Sequence, residues 1–159
     1  NDRLIEALIV RDSSPSSYTQ ESTKAWEHLA LSGLIEGNYS GDGGGNGLFN
    51  QIGMTCPETI NGGCYSLGRA APGFESLDLR MKNYISISKL NSFNFLNDGI
   101  LSASESKYLD NKADDGIADE GKILSKESFG GSNCLINPGT DDDYDLTQST
   151  DSCVLHFLF

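Results

Sequence analysis

The opening residues of the chain carry apolar side chains at the spacing of one face of an α-helix. The residues that form this pattern are Leu4, Ile5, Leu8 and Ile9. Side chains three and four positions apart share a helix face, so the pattern predicts a helix, which we expect to be the end of a longer one. The segment 13–17, SSPSS, should end this helix, because proline within a helix removes a backbone donor and clashes with the preceding turn.

A second amphipathic helix is predicted to begin at Ser17 or Thr19. Its apolar face is formed by Trp26, Leu29, Ala30 and Gly33. We expect Gly37 to close this helix at its C-terminal end, since glycine adopts a left-handed conformation at little cost. The segment 38–73 that follows is rich in glycine, which predicts irregular loops.

The second half of the chain changes from helical periodicity to the two-residue alternation of β-strands. Apolar and serine residues alternate over 84–90, which predicts a half-buried strand. Ser102 should begin a short helix with a capping box, because Glu105 lies three residues later. A short strand is predicted over 121–125. The terminal run CVLHFLF (153–159) predicts a strand that is either buried on both faces or packed under a helix.

Length, order of elements and charge narrow the class of protein. The chain has 159 residues, so we expect one α+β domain spanning 1–159, with an N-terminal helix packed on a small antiparallel β-sheet and glycine-rich loops around it. The net charge of −12 argues against nucleic acid as a partner, because no basic stripe is present to contact phosphates. It also argues against adhesion to anionic lipid, and it is typical of an extracytoplasmic protein or one that binds divalent cations.

Four cysteines indicate either disulfides or free thiols. They are Cys56, Cys64, Cys134 and Cys153, and they can pair in three ways. The spacing favours two local loops, Cys56–Cys64 and Cys134–Cys153, whose closure would contribute about 2.6 and 3.3 kcal/mol through chain entropy. A zinc site would need short Cys-x-x-Cys motifs together with neighbouring histidines, and no Cys-x-x-Cys motif is present. Disulfides predict an oxidising compartment.

An acidic segment near the C-terminus is a candidate calcium site. Its aspartates are Asp141, Asp143, Asp145 and Asp151. The first three alternate along the chain, as at the start of a calcium loop with oxygen ligands. The segment departs from the EF-hand pattern, since Leu146 stands at the glycine position and Ser152 replaces the bidentate glutamate. Calcium tolerates flexible coordination, so a weak site is one prediction, and a solvated acidic turn is the alternative.

A second acidic group lies where the short capped helix should end. It contains Asp110, Asp114, Asp115 and Asp119. Carboxylates are unfavourable at the negative end of a helix dipole, so something must offset their charge. We expect Lys107 and Lys112 to supply part of this offset. We expect Asp114, Asp115 and Gly116 to form a turn in which aspartate side chains cap backbone N–H groups, and a metal site is the alternative.

The sequence lacks the catalytic motifs that would indicate an enzyme. The two histidines, His28 and His156, are expected to have surface or structural roles, because no nucleophile elbow and no cysteine–histidine signature accompanies them. A secreted hydrolase that uses paired carboxylates remains the enzymatic alternative.

Two segments of the chain resemble the soluble part of bacterial type IV pilin-like proteins. The first, 21–41, contains a helix with Trp-x-His-Leu that ends in Gly-Leu-Ile-x-Gly. The second, 101–123, contains the form Tyr-x-Asp-x-Lys-x-Asp-Asp-Gly, which begins at Tyr108 and is followed by Gly121 and a predicted strand. The cysteine pair Cys134 and Cys153, which would bound the last loop and strand, is also similar to the pilin layout.

This resemblance implies a structural subunit of a type IV pilus or a type II secretion pseudopilus. Such a subunit packs with other pilin or pseudopilin subunits, is anchored in the inner membrane by an apolar N-terminal helix before assembly, and works at the bacterial cell surface or in the periplasm. That helix would precede Asn1, so we expect the opening residues to be the end of a truncated spine. In pseudopilins calcium commonly lies in a C-terminal loop. A secreted, calcium-stabilised binding or adhesion module is the alternative function.

Overall fold

The computed structural model describes residues 21–41, 51–69, 83–92, 96–128, 131, 133–136 and 143–159. In these ranges the helices are α1 (Glu21–Leu31) and α2 (Ala103–Ala113). The strands are β1 (Cys64–Arg69), β2 (Asn83–Leu90), β3 (Leu96–Asp98), β4 (Ile123–Glu127), β5 (Leu135–Ile136), β6 (Asp143–Tyr144) and β7 (Cys153–Leu158). The predicted α+β class is therefore confirmed.

The main sheet of the described residues is antiparallel and has the strand order β1-β2-β7-β4, with β3 paired to β2. β5 and β6 form a separate two-stranded sheet. β7 lies between β2 and β4, and its residues from Cys153 to His156 are all buried. The prediction of a terminal strand buried on both faces is confirmed for these residues, and the central position of β7 explains its apolar sequence.

β2 shows the predicted alternation, but its serine face is the more deeply buried one. Ser86 and Ser88 are 2% and 0% exposed, whereas Ile85 and Ile87 are half-buried. The two isoleucines lie opposite apolar residues of β7 in the ladder. The period of two therefore predicts which residues share a face, while the burial of each face depends on what packs against it.

α1 ends in a Schellman motif that is centred on Gly33. The N–H of Gly33 donates to the carbonyl oxygen of Ala30 at 2.9 Å. The N–H of Leu34 donates to the carbonyl oxygen of Leu29 at 3.0 Å, and Gly33 has φ +73°. Gly37 also has positive φ, but it lies beyond this motif. The prediction that Gly37 closes the helix was wrong, because the helix ends at Leu31 and Gly33 caps it.

α1 packs on β1 through Trp26, which forms a core cluster with Cys56 and Cys64. Leu29, also on the predicted apolar face, packs against the same cluster. The predicted first helix, its SSPSS terminator and the predicted start of the second helix lie outside the described residues.

A second core cluster joins α2, β4, β7 and the small sheet. Its fully buried members include Ala103, Cys134, Cys153 and Leu155, and Tyr144 is 1% exposed. The first turn of α2, the C-terminal cysteines and the central strand thus share one core. No helix in the described ranges is both long and apolar enough to span a membrane.

Candidate functional site

α2 begins with the capping box that the sequence predicts. Ser102 is the N-cap, and its side chain accepts the backbone N–H of Glu105. In return, the carboxylate of Glu105 accepts the backbone N–H of Ser102 at 2.9 Å. Two N–H groups without helical partners are satisfied in this way, so the start and the phase of α2 are fixed by local sequence.

The helix ends in a turn at Asp115 and Gly116, as predicted. Gly116 has φ +81°, a conformation that favours glycine, and a Cβ at this position would collide with the side chain of Asn111. The carboxylate of Asp115 accepts the backbone N–H of Ile117 at 2.9 Å, which makes a local aspartate turn.

Asp114 connects the end of α2 to the start of β4. Its Oδ2 atom accepts the backbone N–H of Ile123 at 2.8 Å and also that of Lys122. Gly121 has φ +72°, and a Cβ there would collide with the Asp114 carboxylate. The polypeptide can therefore approach this carboxylate closely only because residue 121 is glycine, and the single side chain of Asp114 sets how the helix passes into the strand.

Asp110 lies one helical turn before Asp114 and is completely buried. Its Oδ2 atom accepts the phenol hydrogen of Tyr144 at 2.7 Å, and its Oδ1 atom accepts the backbone N–H of Gly116 at 3.2 Å. The hydroxyl of Ser125 donates to the phenol oxygen of Tyr144 at 2.9 Å. A buried chain of hydrogen bonds thus links β4, β6, α2 and the turn after it.

The carboxylates of Asp110, Asp114 and Asp115 form a compact acidic group, with one oxygen of each lying within 4.8 Å of the others. Burial raises the pKa of Asp110, and the nearby charges of Asp115 and Asp114 add to this effect. The hydrogen bonds from Tyr144 and Gly116 act in the opposite direction. Oxygen ligands suit hard cations, but each of these carboxylates accepts hydrogen bonds from the protein. The arrangement is that of a capped helix end.

The prediction that Lys107 offsets the charge of the carboxylates at the end of α2 was wrong. Nζ of Lys107 lies 2.9 Å from Oδ1 of Asp143, and Nζ of Lys112 lies 5.6 Å from the ring centre of Tyr108. The Asp110 side chain is buried in the core, away from the lysines on the helix surface. Backbone N–H groups and the Tyr144 phenol stabilise the carboxylates in place of the lysines.

Among the predicted calcium ligands, Asp143 is engaged by Lys107 and Asp141 lies outside the described residues. The hydrogen bond from Lys107 is the main reason that the pKa of Asp143 is lowered, and the backbone N–H of Tyr144 adds to it. The Asp143 carboxylate would have to lose its ion pair with Lys107 in order to coordinate calcium.

The other two predicted ligands, Asp145 and Asp151, also have local partners. The hydroxyl and backbone N–H of Thr147 hydrogen bond to Asp145 and lower its pKa. Asp151 forms an ion pair with Lys89 at 3.0 Å. Within the described ranges, groups of three acidic side chains with close oxygens include none from the segment 143–151. Calcium binding by this segment stays a prediction.

The structure contains both disulfides that the cysteine spacing favours. Cys56 pairs with Cys64, with Cα atoms 5.9 Å apart, and closes what we name the 56–64 loop. Cys134 pairs with Cys153, with Cα atoms 5.0 Å apart. The second disulfide encloses β5 and β6 and joins them to the first residue of the central strand β7.

Glu127 positions the start of this second loop. Its carboxylate accepts the backbone N–H groups of Asn133, Cys134 and Leu135 at 2.9 to 3.1 Å. Glu127 is also opposite Cys153 in the β4–β7 ladder. One half-buried carboxylate at the end of β4 therefore holds the backbone on either side of Cys134.

The sequence did not identify Tyr144, Ser125 or Glu127 as site residues. Tyr144 appeared only as the polar spacer within an acidic segment, and its partner Asp110 lies 34 residues away. A tyrosine flanked by aspartates could have suggested a buried aromatic on a short strand, but the sequence carries no signal for its partner. Contacts at this separation depend on the packing of α2 against β6.

One histidine lies on the surface and the other lies in the core, as the sequence predicts. His28 is exposed in the last turn of α1. His156 is buried in β7, where its ring packs edge-on against Tyr84 and burial lowers its pKa to about 4. Its Nδ1 atom has no hydrogen-bond partner.

Comparisons with known proteins found no matching family model, no similar curated protein and no similar solved structure.

Proposed function

We propose that this chain is the extracytoplasmic part of a bacterial filament subunit, either a type IV pilin or a type II secretion pseudopilin. In this role it packs with other pilin or pseudopilin subunits at the cell surface or in the periplasm. Before assembly it is held in the inner membrane by an apolar helix that precedes Asn1. The role is structural rather than enzymatic.

The observation that carries this proposal is the position of the C-terminal disulfide relative to the sheet. The bond from Cys134 to Cys153 fixes the segment with β5 and β6 to the central strand β7, while α1 packs on the edge strand β1. A helix on a small antiparallel sheet, with a disulfide-bounded loop before the last strand, is the arrangement that the pilin-like resemblance implies. The resemblance of the segments 21–41 and 101–123 also supports the proposal.

The physical properties of the site suit a structural role. The acidic turn after α2 is fixed by hydrogen bonds to backbone N–H groups and to Tyr144. A fully bonded polar network of this kind specifies one arrangement of helix and strand. A filament subunit needs such fixed geometry, because its surfaces must present the same shape to every neighbour.

The test is mass spectrometry of the native protein, extracted from cells and from material sheared off the cell surface. We expect an apolar stretch of about 20–25 residues before Asn1, long enough to span a bilayer, and we expect the protein in the sheared fraction. If Asn1 is instead the mature N-terminus and the protein is released unanchored, the filament role is wrong. A secreted, calcium-stabilised binding module would then be favoured, and calcium titration of the Asp143→Asn variant would test it.

A further inference from the structure

Ile60 projects into solvent from the tip of the 56–64 loop. Its side chain is 102% exposed, the highest value among the large apolar residues of the described part of the chain. The turn is held by the N–H of Gly62, which donates to the carbonyl oxygen of Thr59, and by the N–H of Thr59, which donates to Gly63. Turn tips normally carry polar residues, glycine or proline. A large apolar side chain on a rigid turn loses little conformational entropy when it binds a partner.

The exposed side of α2 carries an open groove of about 340 Å³. Its lining residues are Leu101, Ser104, Glu105, Tyr108 and Leu109. Tyr108 is 63% and Leu109 is 37% exposed, so apolar surface faces solvent here. The Glu105 carboxylate is already bonded to Ser102 and leaves the groove without a free acidic group. The groove is an open depression with a partly apolar surface, against which an apolar side chain of a partner can pack.

The charged residue beside Ile60 and the charged residue beside the α2 groove have opposite signs. Glu58 is exposed two residues before Ile60, and Lys112 is exposed beside Tyr108 at the border of the groove. Within the described ranges, neither Glu58 nor Lys112 takes part in an ion pair. Because each copy has a net charge of −12, copies repel one another in general, and a local pair of opposite charges would select this contact over others.

We propose that Ile60 of one subunit inserts into the α2 groove of a second copy of this chain, with Glu58 beside Lys112 of that copy. This inference rests on the filament function proposed above. The contact joins two different surfaces, so a copy whose Ile60 is bound still has its α2 groove free for the next copy. Contacts of this head-to-tail type repeat along an open assembly and do not require closure.

Site-directed cross-linking in filaments of the full-length protein tests this contact. Subunits with Ile60→Cys and subunits with Tyr108→Cys are produced together, and the filaments are treated with a short bis-maleimide. We expect a cross-linked dimer when both variants are present and none when either is present alone. The matched control replaces Ile60→Cys by Ile136→Cys, whose side chain is 47% exposed on β5 and should give no dimer with Tyr108→Cys.

Substitutions measure the strength of the contact through the ratio of free to assembled subunit after shearing. Ile60→Ser should raise this ratio about 3- to 10-fold, the range expected when an isoleucine side chain is buried only in part in an open groove. Leu146→Ser, at a residue that is 55% exposed, should leave it unchanged. Glu58→Lys should raise the ratio, and adding Lys112→Glu should restore it.

The outcomes separate this contact from the proposed function. If filaments assemble normally with Ile60→Ser and no cross-link forms between positions 60 and 108, the contact is overturned while the filament role stands. If the unmodified full-length protein assembles into no filament, the proposed function is overturned and the contact with it. A dimer formed by Ile60→Cys alone would also overturn it, because two copies would then meet at the same surface.

Discussion

Tyr144 donates a 2.7 Å hydrogen bond to Asp110, and this bond joins β6 to the last turn of α2. Both side chains are buried, with exposures of 1% and 0%. Because the Cys134–Cys153 disulfide encloses β6, the same bond fixes the disulfide-bounded segment to the helix. The acidic turn and the C-terminal loop are therefore one structural unit.

Removal of the Tyr144 hydroxyl should destabilise this unit. Tyr144→Phe leaves Oδ2 of Asp110 and the hydroxyl of Ser125 buried without their shared partner. An unsatisfied buried acceptor costs about 1–3 kcal/mol, and more where the acceptor is charged. We expect the free energy of unfolding in urea to fall by at least this amount.

Tyr108→Phe is the matched control for this prediction, since Tyr108 is 63% exposed on the same helix. It should change the free energy of unfolding by less than about 0.5 kcal/mol. Equal losses in the two variants would show that the buried bond does not contribute to stability.

Asp110 should make the protein less stable as the pH rises. Burial raises the pKa of Asp110 above its ordinary 3.8, so the folded state holds this proton more tightly than the unfolded chain does. The resulting contribution to stability is complete below pH 3.8 and is lost as the pH rises through the folded-state pKa. Asp110→Asn does not titrate, so wild type should lose stability relative to this variant as the pH rises above 3.8.

Asp143→Asn gives the opposite sign in the same experiment. The hydrogen bond from Lys107 lowers the pKa of Asp143, so its contribution is present above pH 3.8 and is lost at lower pH. This effect should be small, because Asp143 is exposed.

Parallel pH profiles of wild type and Asp110→Asn would contradict the role of the buried Asp110 carboxylate.

Asp114 should matter more to stability than Asp115. Asp114 accepts two backbone N–H groups at the start of β4, whereas Asp115 accepts the single N–H of Ile117. Asp115→Ala should lower the free energy of unfolding by about 0.5–2 kcal/mol, and Asp114→Ala by about 1–3 kcal/mol. Chemical denaturation of both variants checks the order, and a larger loss for Asp115→Ala would contradict it.

Local patterns predicted the elements that local chemistry determines. The capping box at Ser102, the turn at Gly116 and the alternation in β2 depend on residues a few positions apart. The C-terminal strand was also evident, because a central strand between two neighbours has an uninterrupted apolar run. The cysteine spacing favoured the pairing that the structure contains.

Tertiary contacts decided what the sequence could not. Gly33 and Gly37 are both suited to a left-handed cap, and only the packing of α1 determines which one closes the helix. Lys107 could reach either the helix carboxylates or Asp143, and the position of β6 beside α2 determines the choice. The partner of Asp110 comes from the distant Tyr144, which helical spacing does not indicate.

Glu127 should control the local stability of the C-terminal loop. Its carboxylate accepts three backbone N–H groups over residues 133–135. Glu127→Ala removes all three bonds and should lower the free energy of unfolding by about 1–3 kcal/mol. Amide hydrogen exchange at Cys134 and Leu135 should accelerate, while Glu120→Ala, at an exposed position, should leave it unchanged. Unchanged exchange in Glu127→Ala would show that other contacts hold the loop.

His156 should make the protein sensitive to acid. Burial lowers the pKa of His156 to about 4, with a smaller contribution from the charge of Lys126, whereas the unfolded chain takes up this proton near pH 6.5. The stabilising contribution is therefore complete above pH 6.5 and is lost as the pH falls towards 4. A shift of this size corresponds to about 3 kcal/mol, which the His156→Phe variant should not lose over this interval. Phenylalanine keeps an aromatic ring against Tyr84 and removes only ring nitrogens, of which Nδ1 has no partner.

His28→Phe is the control at the exposed histidine, and it should retain the wild-type slope of unfolding free energy against pH. If His156→Phe also retains that slope, the acid sensitivity comes from other groups.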